Sequence, residues 1–146
     1  NEVLEPERFL PAPGQGALGI EIRQDRDDMK ELLKPLDESG SHEEIRAERA
    51  LLKALGGSCR VPVGALARVK GAEGSFKEGS LTLSAVVLSP DGLKAIRKEL
   101  TGPRPAAEKL GIELASHLRA AGADRLLYGT WDRGQGTGKI GAQQKR

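Results

Sequence analysis

The chain has 146 residues, 38% hydrophobic but only 3% aromatic, with a formal net charge of +2. That suits one small layered domain with attachments, its core built from Leu, Val, Ile and Ala rather than rings. It argues against a membrane span, since no apolar run approaches ~18–20 residues. It also argues against a basic nucleic-acid face, since residues 129–146 hold four basic residues and one acid and leave the rest of the chain at −1.

Pro6, Pro11 and Pro13 keep residues 1–15 irregular. Ala17–Ile22 reads as a short strand whose imperfect alternation suits cover on both faces. Asp25–Leu36 reads as a helix. Its acids Asp25, Asp27 and Asp28 crowd the first turn, where the dipole favours them, and Met29, Leu32, Leu33 and Leu36 share a face. Pro35 sets its end. Asp37–Gly40 is a joint. Ser41 and Glu44 then have the capping-box spacing and open a helix to about Leu55, with Ile45, Leu51, Leu52 and Leu55 as its apolar stripe. The Glu44, Glu48 and Leu52 spacings add no ion pair, so packing must hold that helix.

Val61–Val69 alternates as a strand, and Gly71–Gly79 is a polar connection. Leu81, Leu83, Ala85 and Val87 repeat the alternation in a second strand. Ser89-Pro90-Asp91-Gly92 is a turn, with proline presetting φ and glycine supplying the left-handed position. Leu93–Leu100 is the third strand, and its Lys94, Arg97 and Lys98 point to an edge or a half-exposed strand. Pro103 and Pro105 open a helix to about Ala121, lined by Leu110, Leu114 and Leu118 and closed by Gly122. Asp124–Tyr128 is a short last element, and the glycine-rich residues 129–146 are expected to be disordered. The fold class is α+β: a three-stranded antiparallel sheet with helices on one face, preceded by a β-α segment.

The lone Cys59 follows the helix-ending Gly56-Gly57 pair and precedes the first strand of that sheet, beside Arg60. Such an edge position beside a permanent cation suits a reactive thiolate. A lone cysteine more often serves as a small hydrophobe. It also allows no internal disulfide, which fits a reducing compartment and a cytoplasmic location. Upstream stands Leu10-Pro11-Ala12-Pro13-Gly14-Gln15-Gly16-Ala17-Leu18-Gly19-Ile20-Glu21-Ile22-Arg23, and between the two lies Ala47-Glu48-Arg49. These segments, with Gly56-Gly57-Ser58-Cys59-Arg60-Val61-Pro62-Val63, resemble in order and spacing the porphobilinogen deaminase (hydroxymethylbilane synthase) family, over residues from about 8 to about 128. Ser58 stands where the family more often has glycine.

The resemblance implies a transferase that joins four porphobilinogen units head to tail into hydroxymethylbilane, releasing ammonia at each addition, in porphyrin and heme biosynthesis. It implies a dipyrromethane cofactor held by a thioether to Cys59, and it places Gln15 and Gly16 at the cleft near cofactor and substrate. Read alone, Gln15 and Gly16 also suit a tight turn before a strand. The resemblance puts the catalytic aspartate and most carboxylate-binding arginines in domains that precede this chain, so no catalytic residue is assigned here and the chain alone is expected to be inactive. The partners implied are porphobilinogen, the growing polypyrrole and those preceding domains. Residues 1–38 are then a linker and a β-α segment completing the absent first domain, 39–128 the cofactor-carrying domain, and 129–146 a tail.

Arg23, Arg46, Arg49, Arg60 and Arg68 are possible carboxylate partners, though solvated positions suit each of them. The Gly134–Ile140 stretch resembles a phosphate loop but has Arg133 and Ile140 where glycine and a magnesium-holding hydroxyl are needed. His42 and His117 lack neighbouring ligands in sequence, so no metal is expected. The competing reading is a stand-alone, non-catalytic α+β module binding a ligand or partner through its sheet.

Overall fold

The computed structural model describes residues 2–6, 8–56, 61–70 and 79–128. Cys59, most of the polar connection after the first strand, and the tail with its expected disorder and phosphate-loop likeness lie outside the described residues. In chain order the elements are α1 (Asp27–Leu33), a 3-10 turn (Lys34–Leu36), α2 (Ser39–Ala54), β1 (Val63–Lys70), β2 (Ser80–Leu88), β3 (Ala95–Pro103), a second 3-10 turn (Arg104–Ala106), α3 (Ala107–Ala120) and α4 (Ala123–Tyr128).

The three strands form an antiparallel sheet in the order β1-β2-β3. Val63 stands opposite Val87 and Ala67 opposite Leu83, while Leu83 stands opposite Leu100 on the other side. Alternation sends Ala65, Ala67, Leu81, Leu83, Ala85 and Val87 to one face, where Leu51 and Leu55 of α2 and Leu114 and Leu118 of α3 cover them. The alanines on the sheet let the helices sit close. Helix α3 lies against α2 at Gly111, where a Cβ would stand 2.3 Å from the Ala47 carbonyl oxygen. The entry to α3 is pinned by Arg104, which is buried and donates from Nε to Glu43 Oε2 of α2 at 2.6 Å.

The opposite face is largely polar. Thr82 and Thr101 share a hydroxyl–hydroxyl bond at 3.0 Å, and the Ser84 hydroxyl donates to Glu99. Its apolar end, Gly64 and Val86, lies under Leu10, which is itself 8% exposed. The turn into β3 forms as the sequence implies. Gly92 takes φ +72° and donates its N–H to the Ser89 carbonyl at 2.8 Å. Strand β3 is the half-exposed edge its charges foretold.

Three local expectations need correction. No strand forms over Ala17–Ile22: the segment runs without a ladder partner, and Leu18 is 98% exposed. A strand that needs cover on both faces finds none among the described residues. Helix α2 opens two residues before Ser41. Glu38 rather than Ser41 is its N-cap, its carboxylate accepting from Gly40 N at 2.8 Å and Ser41 N at 2.6 Å. Those amide bonds hold the Glu38 carboxyl below its ordinary pKa. Glu44, freed from any capping box, reaches to β1 instead. Finally, the helix expected over Asp25–Leu36 is shorter, Asp27–Leu33 followed by a 3-10 turn holding Pro35, and it buries none of its residues; Met29 and Leu33 are half-buried while Leu32 and Leu36 are exposed.

Candidate functional site around the Gln-Gly turn and the edge of β1

An outer strand leaves every second amide without a ladder partner, and such amides must be satisfied or left to water. On β1 these are Val63, Ala65, Ala67 and Val69. Val63 N donates to the Val61 carbonyl and Ala65 N to the Pro11 carbonyl, each at 2.8 Å. Ala67 N donates to Glu48 Oε1 and Val69 N to Glu44 Oε1, again at 2.8 Å each. The edge is therefore capped along its length by residues 10–11 and by two acids one helical turn apart on α2.

The other oxygen of Glu48 reaches the N-terminal segment. Gly14 N donates to Glu48 Oε2 at 2.7 Å. One carboxylate thus joins the turn that holds Gln15 to the strand that follows Cys59. Glu48 is only 5% exposed. Burial raises its pKa, against the lowering effect of the Ala67 and Gly14 amides; Glu44 adds to the rise and Arg68 opposes it.

The turn is closed by its own hydrogen bonds. Gln15 N donates to the Ala12 carbonyl at 3.0 Å, and the Gln15 side-chain Oε1 accepts from Ala12 N at 3.2 Å. Gly14 and Gly16 take φ +77° and +87°, which only glycine adopts easily, and nothing lies within 4 Å of where a Cβ would stand on either. The surface of the turn is open. With Oε1 engaged, the exposed Gln15 side chain offers its Nε2 hydrogens outward, a donor suited to a carboxylate. That donor and the open backbone at Gly16 are compatible with a carboxylate-bearing group.

Cys59 lies outside the described residues, but both ends of its loop are fixed. Helix α2 closes with Leu55 N donating to Leu51 O, and Gly56 takes φ +111°. On the far side, Leu88 N of β2 donates to the Pro62 carbonyl at 3.0 Å. The structure brings Gln15 and Gly16 to the β1 edge through Gly14; no distance from them to Cys59 follows from the described residues. Among the arginines, Arg23 pairs with Asp25 at 3.1 Å, Arg46 lies 3.8 Å from Glu108, and Arg68 lies 3.7 Å from Glu44. Arg49 is exposed, and Arg60 lies outside the described residues. Among the described residues no three His, Cys, Asp or Glu side chains gather to hold a metal ion. No described helix is long and apolar enough to cross a membrane.

Glu48 is the residue that spacing alone does not reveal. Two signals point to it: its place in the Ala47-Glu48-Arg49 segment, and the way Glu44 and Glu48 continue the Leu51–Leu55 stripe at helical spacing, so that two acids stand on a face that otherwise buries leucines.

Two family models match the chain in sequence order. Residues 1–31 match the porphobilinogen deaminase dipyromethane cofactor binding domain, which takes in Gln15 and Gly16. Residues 42–120 match the porphobilinogen deaminase C-terminal domain, which takes in Glu48 and Cys59. Porphobilinogen deaminase of Bordetella parapertussis is 46% identical over 125 residues, covering 86% of this chain and 38% of that protein. The enzyme of Thermus thermophilus is 43% identical over 127 residues, covering 87% of this chain and 40% of that protein. That of Carboxydothermus hydrogenoformans is 44% identical over 126 residues, covering 86% and 38%. The chain thus spans about two fifths of the length of the curated relatives it matches.

Proposed function

Because the chain belongs to the porphobilinogen deaminase family, we propose that it is the C-terminal part of a transferase that joins porphobilinogen units into hydroxymethylbilane, with loss of ammonia, on a dipyrromethane held by a thioether to Cys59. The observation that carries the reading is the ordered match of two domain models, one named for that cofactor, on a chain whose Gln-Gly turn and cysteine loop fall one in each. A non-catalytic binding module gives no reason for that order.

When bound, the dipyrromethane supplies the primer on which the pyrrole chain grows. The residues of this chain hold and orient. Cys59 provides a soft sulfur nucleophile, and a thioether, unlike an ester, survives the hydrolytic release of a product. Arg60, next in sequence, favours the thiolate that forms it. Gln15 Nε2 and the open backbone at Gly16 orient a pyrrole carboxylate. No Asp or Glu of this chain takes the acid–base role; Glu48, the most buried of the described acids, is committed to two backbone amides. That role belongs to the preceding domains, which residues 16–36 join.

The test is turnover of porphobilinogen. The whole protein should release ammonia and form hydroxymethylbilane. The Cys59→Ser whole protein and the isolated 146-residue chain should do neither. Ammonia release at the wild-type rate by the Cys59→Ser protein would overturn the assignment of Cys59, and steady release by the isolated chain would overturn the division of labour.

A further inference from the structure

We infer that Glu48 is a positioning residue: its carboxylate clamps the Gly14–Gly16 turn to the edge of β1 and thereby sets where Gln15 stands. The clamp itself rests on geometry alone. Its consequence for turnover rests on the function proposed above.

The two oxygens of Glu48 are divided between two backbone amides from different parts of the chain, Gly14 at 2.7 Å and Ala67 at 2.8 Å. Such bonds to an ionised acceptor are short, strong and directional. The edge of β1 does not need so buried an acid for its own sake. At Val69 the same task is done by the more exposed Glu44, and at Ala65 by a plain carbonyl. What Glu48 adds is the second bond, to Gly14.

That bond acts on Gln15 because hydrogen bonds within the turn link its residues. Gln15 is tied to Ala12 through both its amide and its side chain, so fixing Gly14 fixes the residue after it. A second tether stands three residues earlier. The Pro11 carbonyl accepts from Ala65 N, and Leu10 packs over Gly64 so closely that a Cβ there would meet the Leu10 carbonyl oxygen at 2.8 Å. Two tethers define a direction where one defines only a point. Beyond the turn no such anchor stands among the described residues: residues 17–22 run without a partner strand there, Leu18 and Ile20 are exposed, and in the whole protein proposed above they join the preceding domains rather than the sheet. Without Glu48 the turn would follow those residues instead of the sheet. A glutamine cannot replace the acid, since its Oε1 can accept from one amide while its Nε2 faces the other donor with a donor. An aspartate is one methylene too short to reach both.

The experiment compares the whole protein with its Glu48→Gln and Glu48→Asp variants, each with and without Gln15→Ala. Hydrogen exchange over residues 10–17 should quicken about tenfold or more when a charge-assisted bond is lost. KM for porphobilinogen should rise about tenfold, below the roughly hundredfold that a 1 Å misplacement can bring. The mass of any group on Cys59 should stay unchanged. In the Gln15→Ala background the Glu48 substitutions should change KM little, because the residue they position is gone. Unchanged exchange over residues 10–17 overturns the clamp. Faster exchange with unchanged KM, or equal KM effects in both backgrounds, overturns the positioning role. Should neither variant fold, the unmodified protein decides: a Gly14 amide that exchanges as freely as an unstructured one overturns the clamp. A whole protein that never turns over porphobilinogen defeats the proposed function, while the exchange measurement still judges the clamp.

Discussion

Gly111→Ala should destabilise the sheet domain, although helix propensity says the reverse. In the interior of an exposed helix the change from glycine to alanine stabilises by about 1 kcal/mol. Here the new methyl would stand 2.3 Å from the Ala47 carbonyl oxygen, 2.8 Å from Leu51 N and 2.9 Å from Ala50 Cβ. Two of these atoms are backbone, so no side chain can rotate away. A carbon normally approaches a carbonyl oxygen to about 3.3 Å, so α2 and α3 must part by about 1 Å. A gap of that size forfeits roughly a quarter to a half of each contact well along the seam. Overpacking of this kind costs about 3 kcal/mol at the upper end of the usual range, leaving a net loss of about 2 kcal/mol. For a domain of this size that lowers Tm by roughly 8–16 °C. Urea and thermal unfolding followed by far-UV circular dichroism would read it, with Ser116→Ala on the exposed side of α3 as the control for propensity alone. A Gly111→Ala protein more stable than the parent by about 1 kcal/mol would refute the close crossing. The consequence reaches the site, because Ala47 precedes Glu48 and a displaced α2 carries the clamp with it.

Gly64→Ala should expel the first segment rather than unfold the sheet. Its Cβ would meet the Leu10 carbonyl oxygen at 2.8 Å and Leu10 Cβ at 3.0 Å, so exchange over residues 8–16 should rise while protection of β2 and α3 holds; loss of protection in β2 would contradict this. Glu38→Ala removes the cap of α2 and should cost about 1 kcal/mol or less in urea unfolding at pH 7, since N-cap losses run about 0.5–2 kcal/mol and this side chain is exposed. Because the Glu38 pKa is lowered in the fold, its contribution is present above the unfolded value and is lost as pH falls through the folded one. Glu48 has the opposite sign. Its folded pKa is raised, so its protonated form favours the fold: that contribution is fully present below the unfolded pKa and is lost as pH rises through the raised value. The stability of the parent relative to Glu48→Gln should therefore decline from about pH 4 upward and then level off; a difference that grows with pH would reverse the assignment.

What the sequence made legible was whatever local chemistry decides. The Ser89–Gly92 turn, the alternation of β2 and the glycine ends of α2 and α3 all rest on neighbours a few residues apart. The start of α2 differs from the capping-box expectation because Glu38, not Ser41, takes its first amides. Glu38 lies one residue outside the helix and reaches Gly40 and Ser41, while Glu44 gains more from Val69 across the domain. Ala17–Ile22 has strand composition but no ladder partner in the described structure, and pairing rather than composition makes a strand. Gln15 and Gly16 were visible through motif order, yet what holds them was not. Glu48 and Gly111 act through contacts distant in sequence, and an acid or a glycine inside a good helical pattern is only a hint of such a contact.

The most direct test of the account is the mass of the Cys59 peptide from the whole protein purified from its natural source. The account predicts a peptide heavier than its sequence by two linked pyrrole units, with the added mass on Cys59 and absent from the Cys59→Ser protein. An unmodified Cys59 in a whole protein that turns over porphobilinogen would contradict it.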